Sequence, residues 1–137
     1  MSKHKDKIVA AFRAMDERQL DEVPKYQSED CSYRMNYDTV VGRAPFLEMI
    51  KGWYAAFPDL RHEILDYAED GEHAAYTVRV TGTHTGTMQT PNGPVPATGK
   101  RVDFRALDHV TFGADGRACT WNAYFDMLTT LEQLGLV

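Results

Sequence analysis

The sequence has few cysteines, and it lacks the common motifs of metal and phosphate sites. Of 137 residues only Cys31 and Cys119 are cysteines, and they are far apart and outside any Cys-x-x-Cys pair. We expect them to behave as small apolar residues. The sequence contains no glycine-rich phosphate loop, no His-Glu-x-x-His motif and no Ser-His-Asp signature, and the histidines lack zinc-site spacing. These absences leave acid/base chemistry without metal or nucleotide.

Long apolar runs and basic blocks are also missing. The net charge is −5, which argues against a nucleic-acid or anionic-membrane partner. No apolar run approaches the roughly 20 residues of a membrane span. The N-terminal residues 1–7 are not followed by an apolar segment, so no secretory signal is predicted and the expected location is the cytoplasm. A length of 137 residues with 43% hydrophobic residues predicts a single domain, residues 1–137.

Apolar residues at helical spacing predict three helices in the first part of the chain. The first covers residues 5–19, a short second one covers 20–26, and the third covers 43–57, with a broad apolar stripe that Pro58 ends. Alternation at residues 31–37 predicts one strand before the third helix.

In the second half of the chain, apolar and polar residues alternate in the way that is typical of an antiparallel meander. Strands are predicted at residues 60–68, 72–88, 100–112 and 117–125, with Asp-Gly hairpin turns at 70–71 and 115–116, a proline-rich loop at 89–99 and a terminal helix at 126–134. The order of elements predicts an α+β fold with helices on one side of a curved antiparallel sheet.

Two titratable residues interrupt the apolar faces of neighbouring predicted strands. Counting by twos from Val80 brings His84 onto the apolar face, and Asp108 falls among apolar residues of the next strand. Both are candidate catalytic residues: His84 could polarise a carbonyl or hold a carboxylate, and Asp108 could be a second acid or support His84. In the alternative interpretation His84 is structural, and Asp108 forms a core ion pair or hydrogen bond because a buried unpaired carboxylate is costly.

Two further features stay open at this point. The last predicted strand presents either Asn122 and Tyr124 or the alternating set that contains Trp121 to the interior, and the turn register does not decide between them. The polar interruptions at His84 and Asp108 indicate a pocket, and the loop at 87–98 follows His84 at the expected mouth of that pocket. It acts as a lid, as a substrate-selectivity loop or as an ordinary hairpin loop.

Several motifs occur together in a fixed order. They are Phe57-Pro58-Asp59-Leu60, Gly82-Thr83-His84-Thr85-Gly86, Ala97-Thr98-Gly99-Lys100-Arg101-Val102, Asp115-Gly116-Arg117, and Tyr124-Phe125-Asp126 leading to Gln133-Leu134-Gly135. From Gly42 to the C-terminus the chain therefore resembles the SnoaL-like polyketide cyclases (ester cyclases) of the NTF2-like superfamily. The resemblance implies a cone-shaped α+β barrel around a deep cavity, with three N-terminal helices and a short C-terminal helix, and it implies a homodimer.

The resemblance also implies roles for particular residues. In these cyclases an acidic residue at the end of the last strand removes a proton alpha to a carbonyl, and Asp126 matches that position. Such a residue needs apolar walls that raise its pKa. The alternative is that Asp126 only caps the terminal helix. The resemblance favours Asn122 and Tyr124 as substrate contacts, and the other predicted substrate-binding residues are Tyr33, Met35, Trp53, Tyr54, Phe57, Tyr76 and Phe104.

Three functional hypotheses follow. The first is a cofactor-independent cyclase that closes a polyketide-like ester by an intramolecular aldol reaction, with a small, partly apolar carbonyl compound as its ligand. The second is another NTF2-like reaction, namely isomerisation, epoxide hydrolysis or dehydration. The third is a dimer that binds a small ligand without catalysis.

Overall fold

The computed structural model describes residues 2–36, 38–90 and 92–137. The helical segments are α1 (Lys5–Asp16), a 3-10 helix (Leu20–Lys25), α2 (Arg43–Ala56) and α3 (Met127–Gln133). The strands are β1 (Gln27–Met35), β2 (Asp38–Val41), β3 (Arg61–Asp70), β4 (His73–Thr83), β5 (Met88–Thr90), β6 (Gly93–Val95), β7 (Arg101–Phe112) and β8 (Ala118–Phe125). Met1, Tyr37 at the predicted end of the first strand, and Pro91 in the predicted loop lie outside the described residues.

The helices form where apolar residues recur at helical spacing. In α1 the buried side chains Ile8, Ala11, Phe12 and Met15 lie along one stripe. In α2 the buried set includes Phe46, Ile50 and Tyr54. These two stripes pack over the inner face of the sheet, so the hydrophobic core lies between the helices and the sheet.

Among the described residues, six strands form one sheet in the order β2-β1-β8-β7-β4-β3. Neighbours are antiparallel, except that β1 runs parallel to β8. The long strands β4 and β7 pair without a shift from His73 opposite Thr111 to Thr83 opposite Arg101. The buried residues of both strands alternate with period two, which puts one face of the sheet against the helices. The predicted α+β architecture is confirmed.

The long predicted strand at 72–88 ends earlier than expected, at Thr83. Here the chain turns toward α2: the N–H of Gly86 donates to the carbonyl of Ala56 at 3.1 Å. A Cβ atom at Gly86 would lie 1.9 Å from the carbonyl oxygen of Ala55, so only glycine allows this approach. The close contact with α2 therefore takes residues 84–87 out of the sheet.

Two short elements were not predicted. Strands β5 and β6 form a separate hairpin inside the predicted loop, and the hairpin packs against α2 through buried Met88. No described residue of the loop at 87–98 contributes to the wall of the interior cavity, and the placement of this loop at the cavity mouth stays a prediction. Strand β2 is a largely exposed edge strand, which gives no alternation to detect in the sequence.

The described helices include none that is long and apolar enough to cross a membrane. The cytoplasmic location stays a prediction.

Candidate functional site

The inner face of the sheet and the helices enclose a cavity of about 100 Å³. A single water molecule needs about 10–15 Å³ measured in this way, so the cavity has room for a small organic group. Its wall is mostly apolar, and it is formed by Phe12, Met15, Tyr33, Met35, Phe46, Ile50, Trp53, Tyr54, Phe57, Leu60, His62, Val80, Val102, Phe104, Trp121, Phe125 and Thr130. Of the predicted substrate-binding residues, this wall contains Tyr33, Met35, Trp53, Tyr54, Phe57 and Phe104.

Asp108 lies behind this wall and is only 3% exposed. Its Oδ2 accepts a hydrogen bond from the Tyr76 hydroxyl at 3.0 Å and another from the Trp121 indole Nε1 at 3.1 Å. Its Oδ1 has no partner among the described residues. Burial raises the pKa of Asp108 to about 6, although the two donated bonds and the nearby His62 act to lower it. Asp108 thus changes charge close to neutral pH.

The sheet register explains the two partners of Asp108. Tyr76 on β4 lies directly opposite it, and Ala123 on β8 lies opposite it on the other side. Trp121 is two residues from Ala123, so it shares the inward face and reaches Asp108 diagonally. Tyr76, a predicted substrate contact, is therefore buried against Asp108 and is absent from the cavity wall.

The same register corrects the predicted face of the last strand. Because residues that pair directly share a face, Asp108 opposite Ala123 turns Trp121, Ala123 and Phe125 inward. A register shift between Thr111 and Phe112 determines which side chains of β8 face inward. The expectation that Asn122 and Tyr124 face the cavity is wrong: neither contributes to its wall, and Tyr124 is 43% exposed on the outer face.

His84 is completely buried, but the structure does not bring it to the cavity or to Asp108. Its Nδ1 accepts a hydrogen bond from the backbone N–H of Thr98 at 3.2 Å and lies 3.0 Å from the Thr98 hydroxyl. Its backbone bonds to Lys100 and Gly99, and its ring stacks on Phe57. Burial lowers the pKa of His84. These contacts match the structural alternative, in which His84 fastens the chain after the hairpin to the end of the sheet.

Asp126 is exposed and is the N-cap of α3. Its Oδ1 accepts the backbone N–H of Thr129 at 3.1 Å, and its Oδ2 accepts the Thr129 hydroxyl at 2.7 Å. These two bonds hold the pKa of Asp126 below its usual value. The expected apolar surroundings and raised pKa are absent at Asp126 because both carboxylate oxygens serve the helix cap at the surface.

The structure brings together a group that the sequence reasoning did not single out. The Asp16 carboxylate at the end of α1 accepts bonds from the Tyr54 hydroxyl at 2.7 Å, the His62 backbone N–H at 2.9 Å and the His62 ring Nδ1 at 2.8 Å. Both His62 and Asp16 are largely buried, with side chains 16% and 8% exposed. His62 also lines the cavity. The detectable signal in the sequence was that His62 alternates with the apolar residues Leu60 and Ile64 in the strand predicted at residues 60–68.

Within residues 2–36, 38–90 and 92–137, no group of three or more His, Cys, Asp or Glu side chains is arranged to hold a metal ion. The titratable groups near the cavity are instead arranged as hydrogen-bonded pairs and triplets.

Comparison with known proteins identifies relatives along nearly the whole chain. A family model described as SnoaL-like polyketide cyclase matches residues 6–134. Similar solved structures include AclR of Streptomyces galilaeus, a proposed hydroxylase, with 25% identity, a TM-score of 0.82, and coverage of 100% of this chain and 87% of that chain. No curated protein sequence matches significantly.

Two further structures show the same fold. IdmH of Streptomyces antibioticus, a proposed polyketide cyclase, has 22% identity and a TM-score of 0.81, covering 98% of this chain and 99% of its own. A proposed polyketide cyclase of Acidithiobacillus ferrooxidans has 24% identity and a TM-score of 0.79, covering 98% and 95%.

Proposed function

The chain belongs to the SnoaL-like polyketide cyclase family, and on that premise we propose that it converts a small, partly apolar carbonyl compound by proton transfer without a cofactor. The most specific form of the proposal is the intramolecular aldol cyclisation of a polyketide-like ester. In that reaction a proton alpha to one carbonyl is removed, the resulting enolate carbon attacks a second carbonyl, and the new alkoxide is protonated. Atoms and charge balance without an external reagent.

The observation that supports this proposal is the ionisable Asp108 behind an apolar cavity wall. Asp108 is nearly inaccessible to water, has one oxygen without a described partner, and has a pKa of about 6. A carboxylate in such a poorly solvated place exerts a stronger field on nearby charges than it would in water. An apolar cavity with a few placed polar groups is also the usual form of a small-molecule site.

In this proposal Asp108 acts through the wall and does not touch the ligand. Its direct partner Trp121 and the neighbouring Tyr33 line the cavity, and the charge of Asp108 also affects Tyr33. Once ionised, Asp108 stabilises positive charge that develops on a protonated group in the cavity. Turnover should therefore rise as the pH increases through about 6, because the ionised fraction of Asp108 increases.

The first test is ligand binding, measured by the fluorescence of the protein's own tryptophans. Both tryptophans of the chain, Trp53 and Trp121, line the cavity, so a bound aromatic ketone or β-keto ester should change their fluorescence. The variant Val80→Phe fills the cavity and should weaken binding, whereas Val41→Phe adds the same side chain at an exposed position. Equal binding by the two variants would show that the ligand lies elsewhere.

The second test is turnover of aromatic β-keto esters, followed by mass spectrometry of the products. Asp108→Asn keeps an oxygen acceptor for Tyr76 and Trp121 but cannot ionise. This variant should still bind the ligand, but its turnover should be lower by roughly 10²-fold or more. Its turnover should also no longer increase as the pH rises through about 6. A variant that retains the wild-type pH profile would remove Asp108 from the mechanism.

The positions of His84 and Asp126 also favour a second function, which is binding of a small ligand without catalysis. Two of the three residues that we expected to be catalytic, His84 and Asp126, make structural contacts away from the cavity. A protein that binds the carbonyl probes tightly, yet neither converts them nor exchanges their acidic protons, would be a carrier.

We also propose that the chain forms a homodimer through the outer face of its sheet. Leu107 and Tyr124 pair across β7 and β8 and are exposed, at 52% and 43%, and an exposed apolar patch of this kind favours association. Light scattering of the wild type and of Leu107→Lys would test this. A monomeric wild type would contradict it.

A further inference from the structure

The hydrogen bond between Asp16 and His62 selects the tautomer of the neutral His62 ring. An ionised carboxylate only accepts hydrogen bonds, and the 2.8 Å contact between Asp16 Oδ1 and His62 Nδ1 therefore places a proton on Nδ1. The neutral ring then carries a lone pair on Nε2. No hydrogen bond joins Nε2 to another described residue, which leaves it available to a ligand.

Asp16 also fixes the orientation of the ring. The carboxylate holds both the backbone N–H and the side chain of His62, and the Tyr54 hydroxyl holds the carboxylate in turn. The His62 ring stacks on Phe12, with their ring centres 4.8 Å apart. Contacts on three sides leave the ring little freedom to turn away.

His62 lies between two hollows. It lines the apolar cavity together with Phe12, and it also lines a more open, polar cleft of about 410 Å³ between α1 and β3. Asp16 lines only the cleft. The Asp16 oxygen that binds Nδ1 also accepts the hydroxyl of Tyr54, which lines the cavity, so Nδ1 is held at the border between the two hollows, and Nε2 is the ring nitrogen without a hydrogen-bond partner among the described residues.

We propose that His62 is the catalytic base and acid of the cavity and that Asp16 is its positioning residue. Nε2 takes the proton alpha to the carbonyl of the bound compound, and the electron pair of the C–H bond moves to the carbonyl oxygen to give the enolate. The enolate carbon then forms the new C–C bond with the second carbonyl, and Nε2–H returns the proton to the resulting alkoxide. The Asp16 carboxylate stabilises the imidazolium between these steps.

The electrostatic surroundings of His62 are consistent with this cycle. Asp108 is close enough to His62 for the two to interact, since His62 acts to lower the pKa of Asp108. An imidazolium formed at His62 is thus flanked by Asp16, through a direct hydrogen bond, and by Asp108 behind the wall.

The inference rests on the proposed function, and its test uses a general carbonyl probe. The probe is 2-tetralone, a bicyclic ketone whose alpha protons exchange with D₂O when a base removes them. Wild-type protein should accelerate this exchange, and His62→Asn should reduce the acceleration by about 10²- to 10⁴-fold. The asparagine amide can still donate to Asp16 from near the Nδ1 position, so the fold is preserved while the base is lost. His73→Asn, the same change at an exposed site, should exchange like the wild type.

The positioning role of Asp16 has its own readout. In Asp16→Asn the amide can donate to Nδ1, which moves the ring proton to Nε2. Nitrogen NMR of the histidine rings should show the Nδ1–H form of His62 in the wild type and the Nε2–H form in Asp16→Asn, with a matching loss of exchange. An Nε2–H form in the wild type would overturn the assignment.

The outcomes separate the two proposals. If His62→Asn still accelerates exchange like the wild type, the assignment of His62 is overturned while the proposed function stands. If 2-tetralone changes the tryptophan fluorescence but wild-type protein does not accelerate exchange, both proposals fail in favour of a carrier.

Discussion

Asp108 and Asp126 are the same residue type in opposite surroundings. Asp108 lies in the middle of β7, is 3% exposed, and has a pKa raised to about 6 by burial. Asp126 follows the end of β8, is exposed, and has a pKa lowered by the bonds it accepts from Thr129. The comparison shows that surroundings, and not position in a motif, decide which carboxyl group titrates near neutral pH.

The two carboxylates also differ in what their hydrogen bonds do. The donors to Asp108 are side chains of the core, so losing the carboxylate leaves polar groups buried without a partner. The donors to Asp126 belong to the first turn of an exposed helix, where water can replace the carboxylate. We therefore expect the inner aspartate to have the larger effects.

The largest expected effect is a difference in folding stability between two substitutions of Asp108. Asp108→Ala should be less stable than Asp108→Asn by about 4 kcal/mol, because the Tyr76 hydroxyl and the Trp121 indole each lose their acceptor at about 1–3 kcal/mol per group. Urea unfolding of both variants at the same pH measures this difference. Equal stabilities would mean that water reaches both donors.

The next effect is the pH dependence of stability. The pKa of Asp108 rises from 3.8 to about 6 on folding, so between these values the folded state binds more protons than the unfolded state. Stability from this group is complete below pH 3.8 and is lost as the pH rises through 6, by about 3 kcal/mol. Asp108→Asn does not titrate, and its stability relative to the wild type should therefore increase from pH 4 to pH 7. A constant difference would contradict a buried, titrating Asp108.

A smaller effect with the opposite pH dependence is expected at the helix cap. Asp126→Ala should lower the urea midpoint slightly at neutral pH because Thr129 loses its acceptors. The folded pKa of Asp126 is lowered, so its contribution is present above the ordinary aspartate pKa and is lost as the pH falls through the folded value. The variant and the wild type should thus converge in acid.

The smallest expected effect is that of Asp126→Asn on turnover. Asparagine still accepts the Thr129 N–H, and Asp126 contributes nothing to the cavity wall, so turnover of the β-keto esters should stay close to that of the wild type. Loss of turnover with unchanged stability would give Asp126 a catalytic role after all and would reverse the comparison.

Local patterns in the sequence predicted the fold well because they depend on near neighbours. The stripe of α1 and the alternation of β4 and β7 gave the right elements, and the interruption at Asp108 correctly indicated a buried acid. The same alternation put His84 on the buried face, yet it could not show that Thr98 binds the ring.

The features that the sequence did not reveal depend on distant parts of the chain. The inward face of β8 follows from a register shift near Thr111, which alternation alone does not show. The contact between Asp16 and His62 joins the end of a helix to a strand 46 residues later, and no periodicity encodes such a pairing. The candidate site was therefore only partly predictable.

The parallel pairing of β1 with β8 has a consequence for how the molecule is made. Tyr33 and Trp121 lie side by side in that pair, so the edge of β1 that faces away from β2 has no partner strand until β8, one of the last segments, has left the ribosome. Until then β1 offers an unpaired edge to any other nascent chain. Closing so long a loop costs entropy and slows folding, so this pairing lengthens the time during which the edge of β1 is exposed.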